Sequence, residues 1–431
     1  MVVNQLVLND FRGFKDLDIK LDSKLNVFIG ANGAGKTSVL DAISLVLNHY
    51  IARFIVDGNN FSIEHGLRAD DVNYHATSCR ISLSIDIYNQ KFNYKIEKNI
   101  FETGSSFEGD ALGKYLKETR SAMNAETNIP VIIYFNTQKD FNISTDLNEK
   151  YLQSRNKHLP QLDAYIDACN KRSYSFKDFS LWWRMEEDKE NEIRLRKDPN
   201  YRHKQLEAVR SAQQKFLSIL KGEVYVGLGI FRVNPSLDKN QNFSVSSEGD
   251  LFLKKNDEYI KVSQLSDGEK HLILMVSDIA RRLVIANPTR NDIIGTGNGV
   301  VLIDEIDQHL HPAWQRTIIA ALTETFPEIQ FIIATHSPQV LSSVRSENIY
   351  SIDNFQAYLV SETYGRDSNE ILDLVFEVPE SPFKNEISKI YEHISKKEIQ
   401  IAKELRKELS EKIGDEYSEI QRIDHILERV K

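Results

Sequence analysis

Residues 30–37 carry side chains whose types and spacing suit the binding of phosphate groups. The segment reads, in order, Gly30, Ala31, Asn32, Gly33, Ala34, Gly35, Lys36 and Thr37. Glycines allow several backbone N–H groups to converge on phosphate oxygens, a lysine reaches the β- and γ-phosphates, and a threonine hydroxyl ligates Mg²⁺. We therefore predict that this segment, with Ser38 after it, binds ATP and Mg²⁺. The alternative is a glycine-rich turn without a ligand.

The residues on either side of this segment predict the elements that such a site requires. Residues 25–29 form an apolar run that predicts a strand, and the residues after Thr37 predict an amphipathic helix. The apolar positions at helical spacing are Val39, Leu40, Ile43, Val46 and Leu47. A strand that leads through a glycine-rich turn into a helix places the positive end of the helix dipole at the phosphates.

Residues 299–312 bring two carboxylates to the end of a second predicted strand. Four apolar residues, 300–303, follow a turn and end at Asp304 and Glu305. The pattern predicts a buried parallel strand, and the carboxyl edge of such a sheet is where ligands bind. At that edge Asp304 could hold Mg²⁺ and Glu305 could polarise a water molecule, which is the Walker B arrangement of nucleotide hydrolases. Taken alone, the two acids could equally begin an acidic helix.

Two further stretches could face an anion. Ser266 and Glu269 fit an S-x-x-E capping box before a helix predicted over 271–283, and a capped helix start also attracts anions. His336 follows the apolar run 331–334, so it would lie at the end of a core strand. A neutral imidazole there could hydrogen-bond a γ-phosphate or the attacking water. The alternatives are a purely structural cap and a buried histidine with a structural partner.

These motifs together resemble those of ABC-type ATPases of the SMC/RecF-like kind, in the order that this class has them. The resemblance covers about residues 1–360. Beyond the two Walker motifs it includes an aromatic and arginine turn, a Q-loop glutamine, the signature motif, the D-loop and the switch histidine. The corresponding residues are Phe11-Arg12-Gly13-Phe14, Gln138, Leu265-Ser266-Asp267-Gly268-Glu269, Asp307 and Thr335-His336-Ser337.

The resemblance implies a homo-oligomeric ATPase that depends on Mg²⁺. Glu305 and His336 would be its catalytic residues, with Glu305 as the general base. Arg12 and Gln138 would lie at the nucleotide, and Gln138 would also approach the metal. The signature residues that would contact the ATP of the opposite protomer are Ser266, Gly268 and Glu269.

The predicted fold class is α/β: an ABC-type P-loop ATPase head with flanking antiparallel strands, a short helical insert and a helical C-terminal tail. The predicted segments are the N-terminal part of the head, the insert, the C-terminal part of the head and the tail, at 1–139, 140–222, 223–378 and 379–431. Residues 349–352 and 357–360 predict a hairpin. The tail has apolar residues at helical spacing, which need the chain's own core or a partner to cover them.

The chain resembles compact bacterial ATPases of phage-defence systems, the group of the Septu and retron ATPases. The resemblance rests on the length of the chain, the short insert and the segment 364–372. That resemblance implies a regulatory or sensor subunit that controls a partner nuclease of the HNH type. A TOPRIM effector, as in the PARIS system, is a close competitor. A RecF/SMC-like DNA-repair ATPase and a transporter ATP-binding subunit are the alternative functions.

Composition narrows the classes of partner. A net charge of −9 argues against binding nucleic acid through bulk charge. A contact would need a local patch such as 189–215, from Lys189 to Lys215, where eight basic residues accompany four acidic ones; a solvated helix face is the other interpretation. The two cysteines indicate neither a zinc knuckle nor a disulfide framework, and no run of 18 apolar residues could cross a bilayer. We therefore expect a cytoplasmic protein without membrane contact.

Overall fold

The computed structural model describes residues 1–55, 66–102, 104–136, 159–169, 176–221, 225–231, 250–255, 258–360, 363–376, 383–415 and 418–429. The chain forms two compact units, Met1–Gly365 and Arg366–Lys431. The boundaries predicted after residues 139, 222 and 378 all fall outside the described residues, so they stay predictions.

The first unit contains both strands and helices. The described strands are β1 (Val2–Phe11), β2 (Phe14–Lys20), β3 (Leu25–Ile29), β4 (Ser78–Ile87), β5 (Gln90–Asn99), β6 (Ser105–Glu108), β7 (Val131–Phe135), β8 (Tyr225–Phe231), β9 (Asp250–Lys255), β10 (Glu258–Lys261), β11 (Gly299–Ile303), β12 (Ile329–Ala334), β13 (Ile349–Asp353) and β14 (Gln356–Leu359). The α-helices of this unit are α1 (Lys36–Ile55), α2 (Asp110–Ala122), α3 (Phe176–Arg196), α4 (Lys204–Lys221), α5 (Asp267–Ala286), α6 (Ile293–Thr296), α7 (Pro312–Gln315), α8 (Ile318–Thr325) and α9 (Pro338–Leu341).

A six-stranded sheet forms the centre of this unit, in the order β14-β13-β3-β12-β11-β7. All neighbouring strands are parallel except β13 and β14. Every residue of β3, β7, β11 and β12 is buried, as continuous apolar runs are in a parallel sheet that is covered on both faces. Since β3, β12 and β11 are adjacent, the residues that follow them meet at one sheet edge. The predicted α/β fold class is confirmed.

A five-stranded antiparallel sheet, β2-β1-β4-β5-β6, supplies the predicted flanking strands. Buried and more exposed residues alternate along β4 and β5, so one face of this sheet packs inward and the other meets solvent. Gln330 on β12 fastens the sheet to the central one, because its side chain accepts from the N–H of Val3 at 2.7 Å and donates to the Val3 carbonyl at 2.8 Å.

Helix α1 is a core element. Among the described residues it alone is long and apolar enough to cross a membrane, and 78% of that apolar window is buried inside the protein. It packs against β11 and β12 of the central sheet. Its apolar side chains therefore pack in the core of the protein. The helix begins at Lys36 of the glycine-rich segment.

Helices α3 and α4 use most of the basic residues of the stretch 189–215 internally. Six of the eight basic side chains bind acidic side chains or main-chain carbonyl oxygens. The six are Lys189, Arg194, Arg196, Lys204, Arg210 and Lys215. Glu190 is fully buried between Arg194, at 2.9 Å, and Arg210, at 3.2 Å. This pairing favours a solvated, internally bonded helix face, and contact with nucleic acid stays a prediction.

The second unit is helical. Its helices are α10 (Ser368–Phe376), α11 (Lys384–Ser395), α12 (Ile399–Ile413) and α13 (Ser418–Arg429). The buried residues that form a common apolar cluster are Ile387, Ile390, Ile394, Ala402, Leu409, Ile420, Ile423 and Leu427. The apolar residues predicted at helical spacing in the tail therefore pack on one another within this unit, except Ile401, which is 44% exposed.

Candidate active site

The glycine-rich segment forms the loop between β3 and α1. Gly33 and Gly35 have φ of +80° and +114°, conformations that glycine adopts without strain. Lys36 is buried, and its Nζ donates hydrogen bonds to the carbonyl oxygens of Gly30 and Ala31 at 3.0 and 2.9 Å. The ammonium group is thus held against the loop. Asn32 and Ala34 complete the loop, and Thr37 and Ser38 lie in the first turn of α1.

Thr37 and Asp304 meet at the sheet edge, as their sequence patterns predict. The Thr37 hydroxyl donates to Asp304 Oδ2 at 2.9 Å, whereas the other carboxylate oxygen, Oδ1, is buried and has no hydrogen-bond partner within the described residues. Burial, followed by repulsion from Glu305 and Asp41, raises the pKa of Asp304 to about 6, although the Thr37 hydrogen bond opposes this. A hydroxyl and a carboxylate with an unpartnered oxygen are the hard ligands that Mg²⁺ prefers, so the residues fit this ion. Gln138, the third predicted ligand, lies outside the described residues.

Glu305 lies in a strained turn beyond β11. Its φ is +52°, in the left-handed region that non-glycine residues adopt at a cost and often at functional sites. The turn is fixed on both sides, because the N–H of Asp304 donates to Phe135 O at 2.9 Å and that of Ile306 donates to Ala334 O at 3.3 Å. Glu305 therefore follows Asp304 at the same edge, on a defined backbone.

His336 follows β12 and faces the same group of charges. Burial and the neighbouring Lys36 lower its pKa, although Asp307, Glu305 and a main-chain hydrogen bond with Gly30 act in the opposite direction. Burial also lowers the pKa of Lys36, and the acids at positions 304, 305 and 307 raise it. The structure thus brings together the lysine, the strand-end acids and a histidine whose pKa is lowered.

Asp307 organises the turn that carries this histidine. Its Oδ1 accepts from the Thr335 hydroxyl and, at 3.3 Å, from the N–H of His336. Ser337 then caps α9 through the N–H groups of Gln339 and Val340. Asp307 is therefore a structural partner of the turn that carries His336.

Arg12 is held by two carboxylates beside the start of α1. Its Nε donates to Asp71 at 3.0 Å, and its Nη1 donates to Asp41 at 2.8 Å and to the Ser38 hydroxyl at 3.2 Å. Arg12 has a φ of +51°, so the turn between β1 and β2 is also left-handed there. Arg12 thus contacts Ser38, the residue that follows Thr37. Its contact with a nucleotide stays a prediction.

The motifs did not single out Asp41 or Tyr134. Asp41 is buried in α1, and its Oδ1 accepts a hydrogen bond from the Tyr134 hydroxyl at 2.9 Å. Burial and the neighbouring acids Asp41 and Asp304 raise the pKa of Tyr134 well above its ordinary value. In the sequence, only the position of Asp41, an acid among the apolar positions of the predicted helix, could have drawn attention to this pair. No sequence pattern marks Tyr134 as part of the site.

The signature segment begins α5 with the predicted capping box. The N–H of Glu269 donates to Ser266 Oγ at 3.3 Å, and the N–H of Ser266 donates to Glu269 Oε2 at 3.1 Å. Gly268 lies against the carbonyl of His309, because a Cβ at this position would come within 2.3 Å of that oxygen. Ser266 is exposed, so a group from outside this chain can reach it.

The loop, the buried lysine and the strand-end acids define a P-loop nucleotide-binding protein of the α/β class. The chain belongs to the AAA_21 family, described as "AAA domain, putative AbiEii toxin, Type IV TA system", whose match covers residues 25–342.

Known relatives agree with the resemblance seen in the motifs. The chain is 29% identical over 419 residues to "Retron Vc95 probable ATPase" of Vibrio cholerae serotype O1 biovar El Tor, across 88% of this chain and 80% of that protein. It is 22% identical over 437 residues to "Septu protein PtuA" of Bacillus thuringiensis, across 99% and 94%. A solved "SMC head domain from Thermotoga maritima" is similar with a TM-score of 0.44 and 16% identity, across 84% and 100%. The predicted likeness to retron and Septu ATPases is confirmed.

Replacing Asp304 with asparagine is expected to stabilise the protein at pH 7.5 in EDTA. Because the pKa of Asp304 rises from 3.8 to about 6 in the fold, its contribution to the free energy of unfolding is present below about pH 4 and lost as the pH rises through about 6. At about 1.4 kcal/mol per pKa unit, the free energy of unfolding falls by about 3 kcal/mol over this pH range. Urea unfolding from pH 4 to pH 8 measures it, with Asp16→Asn, at an exposed aspartate, as the control. An asparagine variant less stable than the parent at pH 7.5 would contradict the assignment.

Proposed function

We propose that this chain is an ABC-type, Mg²⁺-dependent ATPase that serves as a regulatory or sensor subunit of an anti-phage defence complex in the cytoplasm. The observation that carries the proposal is the meeting of Lys36, Thr37 and Asp304 at one sheet edge, with the Thr37 hydroxyl 2.9 Å from the aspartate. The retron and Septu names of the relatives support the biological setting.

Each residue at the edge has a role that its chemistry permits. The N–H groups of residues 30–38 and the Lys36 ammonium bind the phosphates, and Thr37 with Asp304 holds Mg²⁺, joined in this proposal by Gln138. When bound, Mg²⁺ neutralises charge on the β- and γ-phosphates. Glu305 accepts a proton from the attacking water as the oxygen bonds to the γ-phosphorus and the bond to the ADP oxygen breaks.

His336 and Arg12 assist in this scheme. The lowered pKa of His336 favours a neutral imidazole, which can donate a hydrogen bond to the γ-phosphate or orient the water without competing with Lys36 as a second cation. Arg12 approaches the nucleotide from the side of Ser38, since its Nη1 lies 3.2 Å from the Ser38 hydroxyl oxygen. Both residues lie beside the phosphate loop, His336 as a neutral hydrogen-bond donor and Arg12 as a cation that Asp41 and Asp71 hold in place.

A second copy of the chain completes the site. In the proposed homo-oligomer, Ser266, Gly268 and Glu269 of one protomer contact the ATP that the phosphate loop of its partner holds. The exposure of Ser266 supports this, and the N-terminal end of α5 suits an anionic ligand. The contact of Gly268 with the His309 carbonyl links the signature to the loop that follows Glu305.

Substitution of Glu305 separates chemistry from binding. Glu305→Gln removes the base while keeping the shape of the side chain, so hydrolysis should slow by about 10²- to 10⁴-fold with ATP still bound. Lys36→Ala should weaken binding itself, because it removes the phosphate counter-charge. Phosphate release and equilibrium ATP binding on both variants provide the measurement. Unchanged turnover in Glu305→Gln would reassign the base, with His336 as the next candidate.

The effector in this proposal is a separate nuclease of the HNH or TOPRIM type. The acids Asp304 and Glu305 are assigned to the nucleotide, so the purified chain should leave DNA and RNA intact in Mg²⁺ or Mn²⁺. A nuclease encoded beside this chain, purified in complex with it, should cleave, and Glu305→Gln in the ATPase should change that rate. Cleavage by the chain alone, abolished by a substitution outside the ATP site, would contradict the proposal of a separate nuclease.

A further inference from the structure

The hairpin of β13 and β14 lies against the phosphate loop, although it follows residue 342, where the family match ends. Strand β13 pairs in parallel with β3, and the pairing continues to Ser351 opposite Ile29, the last residue before the loop. The hairpin turns at Asn354 and Phe355, between the paired residues Asp353 and Gln356. Its tip therefore projects past the end of β3, to the place where the phosphate loop begins.

The hairpin touches the loop at its first and last glycines. A Cβ on Gly30 would come within 2.2 Å of the carbonyl oxygen of Ile352, in strand β13. One on Gly35 would meet the Phe14 ring at 2.7 Å and the Phe355 ring at 3.1 Å. The same ring lies over Gly13, where a Cβ would be 2.1 Å away. Phe14, which is fully buried, meets the Phe355 ring edge to face at 5.4 Å. The rings of Phe355 and Phe14 thus fill the space between the turn after Arg12 and the loop together.

The backbone at this tip is strained for the residue that it carries. Asn354 and Phe355 have φ of +46° and +58°. A two-residue hairpin turn with both φ values positive is of type I′, for which Asn-Gly is the favoured sequence. A bulky residue at positive φ is a genuine outlier, and such outliers cluster at functional sites. The chain therefore has a phenylalanine where glycine would fit without strain, and the ring of this phenylalanine contacts the loop at Gly35.

We propose that Phe355 is a positioning residue, whose ring holds the phosphate loop in the conformation that binds the phosphates of ATP. The inference rests on the proposed nucleotide site. A loop with glycines at positions 30, 33 and 35 has wide conformational freedom, and ordering it on binding costs affinity. The ring limits this freedom before the ligand arrives.

Phe355→Gly is the informative variant, because it removes the ring and relaxes the turn together. Isothermal titration with Mg-ATP should show about tenfold weaker binding, which corresponds to about 1.4 kcal/mol. The thermal midpoint of the ligand-free variant should be unchanged or raised, since glycine relieves the strain. Asn354→Gly is the matched control: it relaxes the neighbouring position, keeps the ring and should bind Mg-ATP as the parent does.

A second variant reaches the ring from its other side. Gly13→Ala puts a methyl group where the ring of Phe355 lies, at an ordinary φ, so it should displace the ring and weaken Mg-ATP binding to a similar degree. In the Phe355→Gly background this ring is gone, so the alanine should cost much less. The double-mutant cycle should therefore be strongly non-additive.

Three results would overturn the role of Phe355: parental Mg-ATP affinity in Phe355→Gly, additive effects in the cycle, or a loss of binding matched by a lower thermal midpoint. The third would mean that the ring supports the fold as a whole and has no particular role at the loop. A parent chain that fails to bind Mg-ATP would overturn the proposed nucleotide site as well. A parent that binds, with an unaffected variant, would overturn only the positioning role.

Discussion

Asp304 carries a charge that the fold removes from water, and the arrangement of the site follows from this constraint. The strand that precedes it is buried along its whole length, so the acid at its end is only 4% exposed and its pKa rises to about 6. A buried carboxylate is unfavourable unless hydrogen bonds and opposite charges compensate it. Thr37 and Lys36 provide part of this compensation, and a divalent cation would provide more. The burial that builds the central sheet thereby leaves a carboxylate oxygen without a hydrogen-bond partner in the described residues at its edge, which is where the proposed Mg²⁺ would bind.

Helix α1 joins this edge to a second group of charges. Its first turn carries Lys36 and Thr37, and Asp41, one turn later, binds both Arg12 and Tyr134. Arg12 lies in the turn between β1 and β2 of the antiparallel sheet, and Tyr134 lies in β7, the edge strand of the central sheet. Because these bonds converge on a single buried carboxylate, the start of the helix is fixed relative to both sheets. The phosphate loop can therefore be held rigidly from the helix side, while the hairpin tip contacts its other side.

Local patterns predicted the parts of the site that depend on sequence neighbours. The strand, loop and helix around Lys36, the strand before Asp304 and the capping box at Ser266 all follow from periodicity, glycine spacing and capping chemistry. Tyr134 and Asp41 are 93 positions apart and have no motif, so only the folded chain brings them together. The hairpin that carries Phe355 was predicted as well, but the loop that its tip touches depends on the register of β13 against β3. Such long-range pairings have no local signature.

The central claim is that ATP lies between the phosphate loop of one chain and the exposed signature start of another. Mixing Lys36→Ala subunits with Ser266→Arg subunits tests it most directly, because a mixed dimer has one site in which both halves are intact. Random pairing makes half of the dimers mixed, so ATPase activity should return to about a quarter of the parental value. A mixture of the double variant, which carries both substitutions, with either single variant should stay inactive, because every site in it then lacks one half. Failure of the first mixture to exceed its separate components, with mixed dimers present, would contradict the claim.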